Sequence, residues 1–218
     1  MMRTKIICTL SLCVFGMVVS AQNDKKHELG LSVLTYATNS SLAYDAMSWD
    51  RFQFVNGVSY KLHHERSAFR SFVGIESNGF EYDDTQSNGI YAAATSNGII
   101  MMAGWQYALG DKRLVLSPLI DVKYQLRNIE GESTGGIVPG RRVFSYNENL
   151  IGLAPGFNLA YVITGSFSVQ LETNISFLQN YRTGEQVQYG ADLSTPIKEN
   201  LQEIQYRPIS ILSLNYRF

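Results

Sequence analysis

Cysteine, charge and long apolar runs are all scarce in this chain of 218 residues. Its two cysteines, Cys8 and Cys13, both lie within the first 21 residues, so the rest of the chain offers neither a disulfide nor a thiol nucleophile. Charged residues make up 17% of the chain, below the roughly 25% of typical soluble domains. A formal net charge of −1 and the lack of any basic run argue against a nucleic-acid partner.

The one long apolar run stands at the N-terminus. Arg3 and Lys5 precede "IICTLSLCVFGMVV", and the small residues of "VSA" precede Gln22. This pattern predicts a secretory signal peptide over 1–21 and a single domain over 22–218. A buried N-terminal helix is the alternative, and a lipid anchor on Cys13 is disfavoured by the bulky residue before it. Cleavage would leave 16 of the 18 basic residues and all 19 acidic ones, a net charge of −3.

Alternation of apolar and polar residues with a period of two recurs in eight segments. They are 28–36, 52–62, 69–77, 99–107, 114–124, 151–161, 167–177 and 208–218. Each has the length of about 9–11 residues that a tilted strand needs to cross a bilayer. Short connections at 63–68, 108–113 and 162–166 alternate with long polar ones at 37–51, 78–98, 125–150 and 178–207. Short periplasmic turns and long extracellular loops are the layout of a transmembrane barrel.

The two faces of these segments differ in size and charge. One face is bulky and apolar, whereas the other is rich in small residues and also holds charges. The charged positions are Glu28, Lys61, Arg70, Glu76, Asp121, Lys123, Glu172 and Arg217. A soluble, lipocalin-like barrel would turn the apolar face inward, whereas a membrane barrel turns it to lipid. Small residues suit the tight interior of eight strands. We therefore predict an all-β, transmembrane, antiparallel up-and-down β-barrel whose lumen is plugged by ion pairs among seven of these charges, all but Glu28.

Aromatic residues cluster at the ends of the segments, as in the two girdles of a membrane barrel. Near the short turns lie Tyr60, Phe69, Trp105, Tyr107, Tyr161, Phe167, Tyr216 and Phe218, and near the long connections Tyr36, Phe52, Tyr124 and Phe177. Two prolines fit the pattern less well. Pro118 and Pro155 fall within segments, where a missing N–H breaks the ladder, so we expect a bulge or another local irregularity there.

Histidine gives little support for catalysis or metal binding. Outside the signal peptide the three histidines are His27, before the first segment, and His63 and His64, adjacent in one short turn. Two adjacent histidines supply at most two ligands, and the sequence has no G-x-S-x-G motif. We therefore predict no enzyme, no metal and no cofactor. Arg141 and Arg142, in the third long connection, are candidates for contact with lipopolysaccharide phosphates.

With eight segments, asymmetric connections and the ending "LSLNYRF", the chain resembles the small outer-membrane β-barrel proteins of Gram-negative bacteria over essentially 27–218. The resemblance implies residence in the cell outer membrane and contact with its lipid and lipopolysaccharide. It also implies that the outer-membrane assembly machinery reads the last strand as a signal, carried here by Leu212, Leu214, Tyr216 and Phe218. The expected role is structural or interactive through the long loops, with an unassigned extracellular partner. A narrow channel for small solutes is the alternative.

Deletion of Phe218 tests the assembly signal. We expect less folded protein in the outer membrane, because the terminal aromatic residue is part of the implied signal. The measurement is the amount of heat-modifiable protein in outer-membrane fractions. Unchanged amounts of heat-modifiable protein after the deletion would refute the assignment.

Overall fold

A computed structural model describes residues 26–40, 51–84, 89–110, 113–135, 140–189 and 193–218, which excludes the predicted signal peptide. These residues form eight antiparallel strands that pair in chain order and close into a barrel, which confirms the predicted fold class. No helix among them is long and apolar enough to cross a membrane. The strands are β1 (His27–Ser40), β2 (Arg51–His64), β3 (Ser67–Asp84), β4 (Ile90–Tyr107), β5 (Leu114–Thr134), β6 (Arg141–Val162), β7 (Phe167–Gln188) and β8 (Leu193–Arg217).

The barrel closes where its first strand meets its last. β1 pairs with β8 from Glu28 opposite Arg217 upward. The main chains of His27 and Phe218 exchange two hydrogen bonds, of 3.1 and 2.8 Å. Both chain ends of the barrel therefore lie at the same rim as the turns after β2, β4 and β6. We call this rim the short-turn end and the opposite rim the long-loop end.

The strands are longer than the alternating pattern predicts. β1 and β2 have 14 residues each, and the other six have 18 to 25. The assignment of 78–98, 125–150 and 178–207 to loops is therefore wrong over much of their length. Pairing continues there, with Asn128 opposite Asn147 and Thr183 opposite Lys198. Both faces are polar in these stretches, so the period-two signal fades although main-chain pairing does not depend on hydropathy.

Side chains alternate between the outside and the lumen as predicted. Along β5, Asp121 and Lys123 are buried at 1% exposure, whereas Ile120 and Val122 between and beside them are 51% and 53% exposed. The same alternation around the ring forms an outward apolar belt. It follows from the pleat of a β-strand, which points successive side chains to opposite faces.

β8 departs from this alternation near Pro208. The period of two in segment 208–218, with Leu212 and Leu214 on the apolar face, predicts that Ser210 also faces lipid. This is wrong, because Ser210 is buried and accepts a hydrogen bond of 2.7 Å from Asn174 Nδ2. Pro208 has no N–H, and here three residues of β8 lie opposite Thr173 alone. The bulge turns two successive side chains, Ser210 and Ile211, inward.

The two prolines named from the sequence stand beside gaps in the ladder, and the register does not shift there. Pro118 stays opposite Phe157, and Pro155 stays opposite Ile120. The β4–β5 pairs end at Leu119, next to Pro118, and the β6–β7 pairs skip Pro155 and its neighbour before resuming in the same register. The expected irregularity is thus a loss of pairing on one side without a bulge.

Aromatic side chains mark the rims of the apolar belt. Near the short-turn end, Phe69, Trp105, Tyr107, Tyr161, Phe167 and Tyr216 are exposed. Farther from that end, Phe177, Tyr181 and Tyr206 are also exposed. Tyr60, Tyr124 and Phe218 are half-buried, and the side chains of Tyr36 and Phe52 lie outside those described.

A charge on the apolar belt tests whether it faces lipid. We expect Val122→Arg to lower the free energy of unfolding from lipid vesicles by about 2–4 kcal/mol, because a cation deep in a bilayer is poorly solvated. Asn128→Arg is the matched control, since Asn128 points outward from the same strand beyond the belt, and we expect at most about 1 kcal/mol. Denaturant unfolding in vesicles measures both, and equal effects would contradict the lipid-facing assignment.

Candidate functional site in the barrel lumen

Charged side chains that are distant in sequence meet inside the barrel. Of the seven charged residues predicted for the lumen, the structure buries six: Lys61, Arg70, Glu76, Asp121, Lys123 and Glu172. Glu28 is buried with them. Small residues leave space for these side chains, and a Cβ added at Gly104 would lie 2.4 Å from Asp121 Oδ1. The strands supply the charges, and the glycine provides room for one of them.

The half of the lumen near the short-turn end holds a chain of ion pairs, the lower network, made of Glu28, Lys61, Glu172, Arg70 and Asp121. Lys61 Nζ lies 3.6 Å from Glu28 Oε1 and 3.9 Å from Glu172 Oε1. Arg70 Nη2 lies 2.6 Å from Glu172 Oε2, and Arg70 Nε lies 3.2 Å from Asp121 Oδ1. Two basic groups thus bridge three carboxylates.

Amide groups extend the lower network. Gln170 Nε2 donates to Glu28 Oε1 at 2.7 Å, and Gln170 Oε1 accepts from Lys61 Nζ and, at 3.0 Å, from Asn158 Nδ2. His63 Nε2 lies 3.2 Å from Glu28 Oε2. Neutral donors and acceptors therefore share the solvation of these buried charges, which lowers the free-energy cost of keeping them out of water.

The half near the long-loop end holds a second set of ion pairs, the upper network, centred on Arg127. Arg127 Nη2 lies 2.7 Å from Glu148 Oε2 and 2.8 Å from Glu203 Oε2. Arg182 Nη2 lies 2.7 Å from Glu148 Oε1. Asn180 Nδ2 donates to Glu148 Oε1 at 3.0 Å and to Glu203 Oε2 at 3.2 Å. Arg182 also stands 4.5 Å from the centre of the Tyr146 ring.

Lys123 and Glu76 belong to the upper network. Lys123 Nζ donates to Gln205 Oε1 at 2.6 Å, and Gln205 Nε2 donates to Glu203 Oε1 at 2.6 Å. Arg207 Nη2 lies 3.8 Å from Glu76 Oε1. The residues named from the sequence are thus divided between two networks at different depths.

Sequence reasoning misses five charged residues of the upper network, because it assigns 125–150 and 178–207 to loops. The missed residues are Arg127, Glu148, Arg182, Glu203 and Arg207. A signal for one of them exists, since the polar phase of β5 continues at every second residue from Lys123 through Gln125 to Arg127. Following the polar phase past the end of the apolar phase would have found it.

Arg217 stands apart from the buried charges predicted with it. Its side chain is half-buried at the short-turn end, and its Cα lies opposite Glu28. Its main-chain N–H donates to the Ser166 carbonyl at 2.7 Å. The position next to the barrel rim explains why it is less buried than Lys61 or Arg70.

The histidines lie at or near the short-turn rim. His27 Nδ1 is 2.7 Å from Tyr60 Oη, and its ring stacks on Phe218 with 5.8 Å between centroids. His63 belongs to the lower network, and His64 is exposed. Within the described residues, no group of three or more His, Cys, Asp or Glu is placed to hold a metal ion.

Arg141 and Arg142 begin β6 and are not loop residues as predicted. Arg141 is exposed, and its Nε lies 2.9 Å from Glu132 Oε2 on the neighbouring strand. This carboxylate raises the pKa of Arg141 by hydrogen bonding and by its charge. The Arg141 guanidinium also lies 5.6 Å from the centre of the Tyr189 ring. Its positive charge is therefore already engaged at the long-loop end.

The four residues named as an assembly signal share the outward face of β8. Leu214 and Tyr216 are 51% and 46% exposed, and Leu212 and Phe218 are half-buried. Tyr216 contacts Phe167 of β7 with 4.9 Å between ring centroids and stacks on Phe218 at 6.0 Å. They form one apolar and aromatic edge at the closing seam.

No family model and no curated protein match the chain. Among solved structures, a major outer membrane protein from Thermus thermophilus is similar over 88% of this chain and 99% of that one, with a TM-score of 0.53 and 12% identity. Ail, the attachment invasion locus protein of Yersinia pestis, is similar over 88% of this chain and 97% of its own chain, with a TM-score of 0.46 and 11% identity. Outer Membrane Protein W of E. coli is similar over 91% of this chain and 100% of its own chain, with a TM-score of 0.43 and 12% identity.

At 12% identity the similarity to the Thermus protein shows the fold alone. It agrees with the architecture of the chain itself, in which eight antiparallel strands close in chain order with a mostly polar inside and an apolar belt outside. The chain has the fold of the small eight-stranded outer-membrane β-barrel proteins.

Proposed function

We propose that this protein is an integral outer-membrane barrel with a filled lumen, a rigid and non-conducting scaffold for its long-loop end. The observation that carries the proposal is the pairing of buried charges across the lumen between strands that are not neighbours. Arg70 on β3 reaches Glu172 on β7, and Arg127 on β5 reaches Glu203 on β8. Such pairs tie opposite walls together and occupy the space that a solute would need.

The outward belt supports a membrane location over a soluble, lipocalin-like barrel. Leu114, Val122, Phe157 and Phe167 are each more than half exposed, and they belong to a continuous apolar surface around the barrel. Soluble monomers rarely expose contiguous apolar patches of more than a few hundred Å². A closed barrel also leaves no unpaired strand edge, which is the condition for strands in lipid.

The dimensions of the lumen support a scaffold over a narrow channel. An eight-stranded barrel is just wide enough for side chains to fill it. Midway along the lumen, a cavity of about 10 Å³ lies between Phe72, Lys123 and Arg207. A cavity of this size is at the lower limit for one water molecule.

The long-loop end is the part of the scaffold that contacts its surroundings. β5 and β6 continue beyond the apolar belt and turn Asn128, Glu130 and Arg141 outward. Contact of Arg141 with lipopolysaccharide phosphate belongs to this proposal, and it requires competition with Glu132. Recognition of the β8 edge by the assembly machinery also belongs to it. The proposal includes no catalytic step and names no extracellular partner.

Electrical recording in planar bilayers tests the filled lumen. We expect the purified, folded protein to produce no discrete current steps, because the paired side chains reach across the lumen between opposite walls. A large-pore porin in the same bilayers is the positive control. Regular steps from the folded protein would overturn the proposal in favour of the channel.

Removal of one lumen cation tests whether the networks hold the walls together. Arg70→Met leaves Asp121 and Glu172 without their main partner, and we expect a loss of about 3–5 kcal/mol in the free energy of unfolding. Arg141→Met is the control, because it breaks an exposed pair with Glu132 and should change stability little. Denaturant unfolding in vesicles measures both, and equal stability of the two variants would contradict the role of the lower network.

A further inference from the structure

A cluster of four apolar side chains lies in the middle of the mostly polar lumen. Phe72 on β3, Ile100 and Met102 on β4, and Ile211 on β8 are each 2–6% exposed and form one cluster. β8 is separated from β3 by two strands, so these side chains come from separate parts of the wall and meet inside the barrel. We call this cluster the septum.

The septum lies between the two networks. On β3, which rises from the short-turn end, Arg70 of the lower network precedes Phe72, and Glu76 of the upper network follows it. On β8, which descends, Arg207 of the upper network comes before Ile211. Along β3 and β8 the lower network, the septum and the upper network therefore follow one another, whereas on β5 the lumen residues Asp121 and Lys123 follow each other directly.

The septum is fitted to the wall. The Phe72 ring occupies the space above two glycines, where a Cβ at Gly57 would lie 2.4 Å from Phe72 Cζ and a Cβ at Gly74 would lie 2.7 Å from it. Polar side chains border the layer, among them Asn174, which donates to Ser210 at 2.7 Å. The cavity beside the septum measures about 10 Å³, so little free space remains at this level.

The two kinds of layer resist ions differently. A polar network offers carboxylates, amides and guanidinium groups that can replace part of the water around an ion. The septum side chains offer none, so a charge that passes along them loses hydration with less compensation than it would find in a network. Hydrophobic constrictions in channels block ions for this reason, by excluding water.

We propose that the septum, and not the ion-pair networks, is the barrier to ions in this lumen. The proposal rests on the non-conducting barrel proposed above and deepens it by locating the block. The networks then serve mainly to hold the walls together. Loss of a network pair should loosen the barrel without opening it, whereas a polar septum should admit water and ions.

The test records single-channel currents and the flux of K⁺ into vesicles for four folded proteins. Phe72→Ser combined with Ile211→Ser makes the septum smaller and polar. Arg127→Gln combined with Glu203→Gln removes a network pair and leaves the contact of Glu148 with Arg182 in place. The matched control is Leu119→Ser, which makes the same kind of change at a buried lumen position outside the septum. The fourth protein is the unchanged chain, and heat-modifiable migration confirms that each variant is folded.

We expect current steps and K⁺ flux from the septum double variant only. A folded septum variant that stays silent in both measurements would overturn the inference, as would conduction by the network variant alone. Should the double variant not fold, Met102→Ser makes a smaller change in the same layer, and K⁺ flux above that of Leu119→Ser is expected from it. No excess flux from folded Met102→Ser would equally overturn the inference. Conduction by the unchanged protein would instead contradict the proposed function.

Discussion

The closing of β1 on β8 is the constraint on which the rest of this structure depends. Every main-chain group in a membrane must find a partner within the protein, and a sheet can achieve this only as a ring. Here the ring is completed by Glu28 opposite Arg217 and by the mutual hydrogen bonds of His27 and Phe218. Eight strands set a narrow lumen, and the pleat then sends every second residue into it.

Because the lumen is narrow, the charged side chains of the polar face become buried inside it. A buried charge requires a partner of opposite charge or a hydrogen bond. Lys61 and Arg70 satisfy this condition between three carboxylates, and Arg127 and Arg182 satisfy it around Glu148. Breaking such a pair is costly even where the intact pair adds little net stability, because the remaining charge stays buried. The rigidity that we propose for the lumen therefore has the same physical cause as its proposed filling by paired side chains.

Alternation along the apolar segments predicted the strand number, the antiparallel order and the outward face. It could do so because lipid on one face of each strand and a tight interior on the other impose a strict period of two. The prediction of strand length failed because beyond Leu126 and Ile151 the outward residues are polar too, as at Asn128 and Asn149. Arg127 was missed for that reason. Ser210 was misplaced because the bulge at Pro208 arises from pairing with β7, and pairing is not visible in one strand alone.

The sequence by itself determined that eight strands form and which face turns outward, because both follow from the local period and from residue size. Only the tertiary structure decided which charges meet. Arg70 and Glu172 are 102 residues apart and become partners because barrel closure brings β3 and β7 face to face across the lumen. The septum arises in the same way, since Phe72 and Ile211 join one cluster only after the ring has closed.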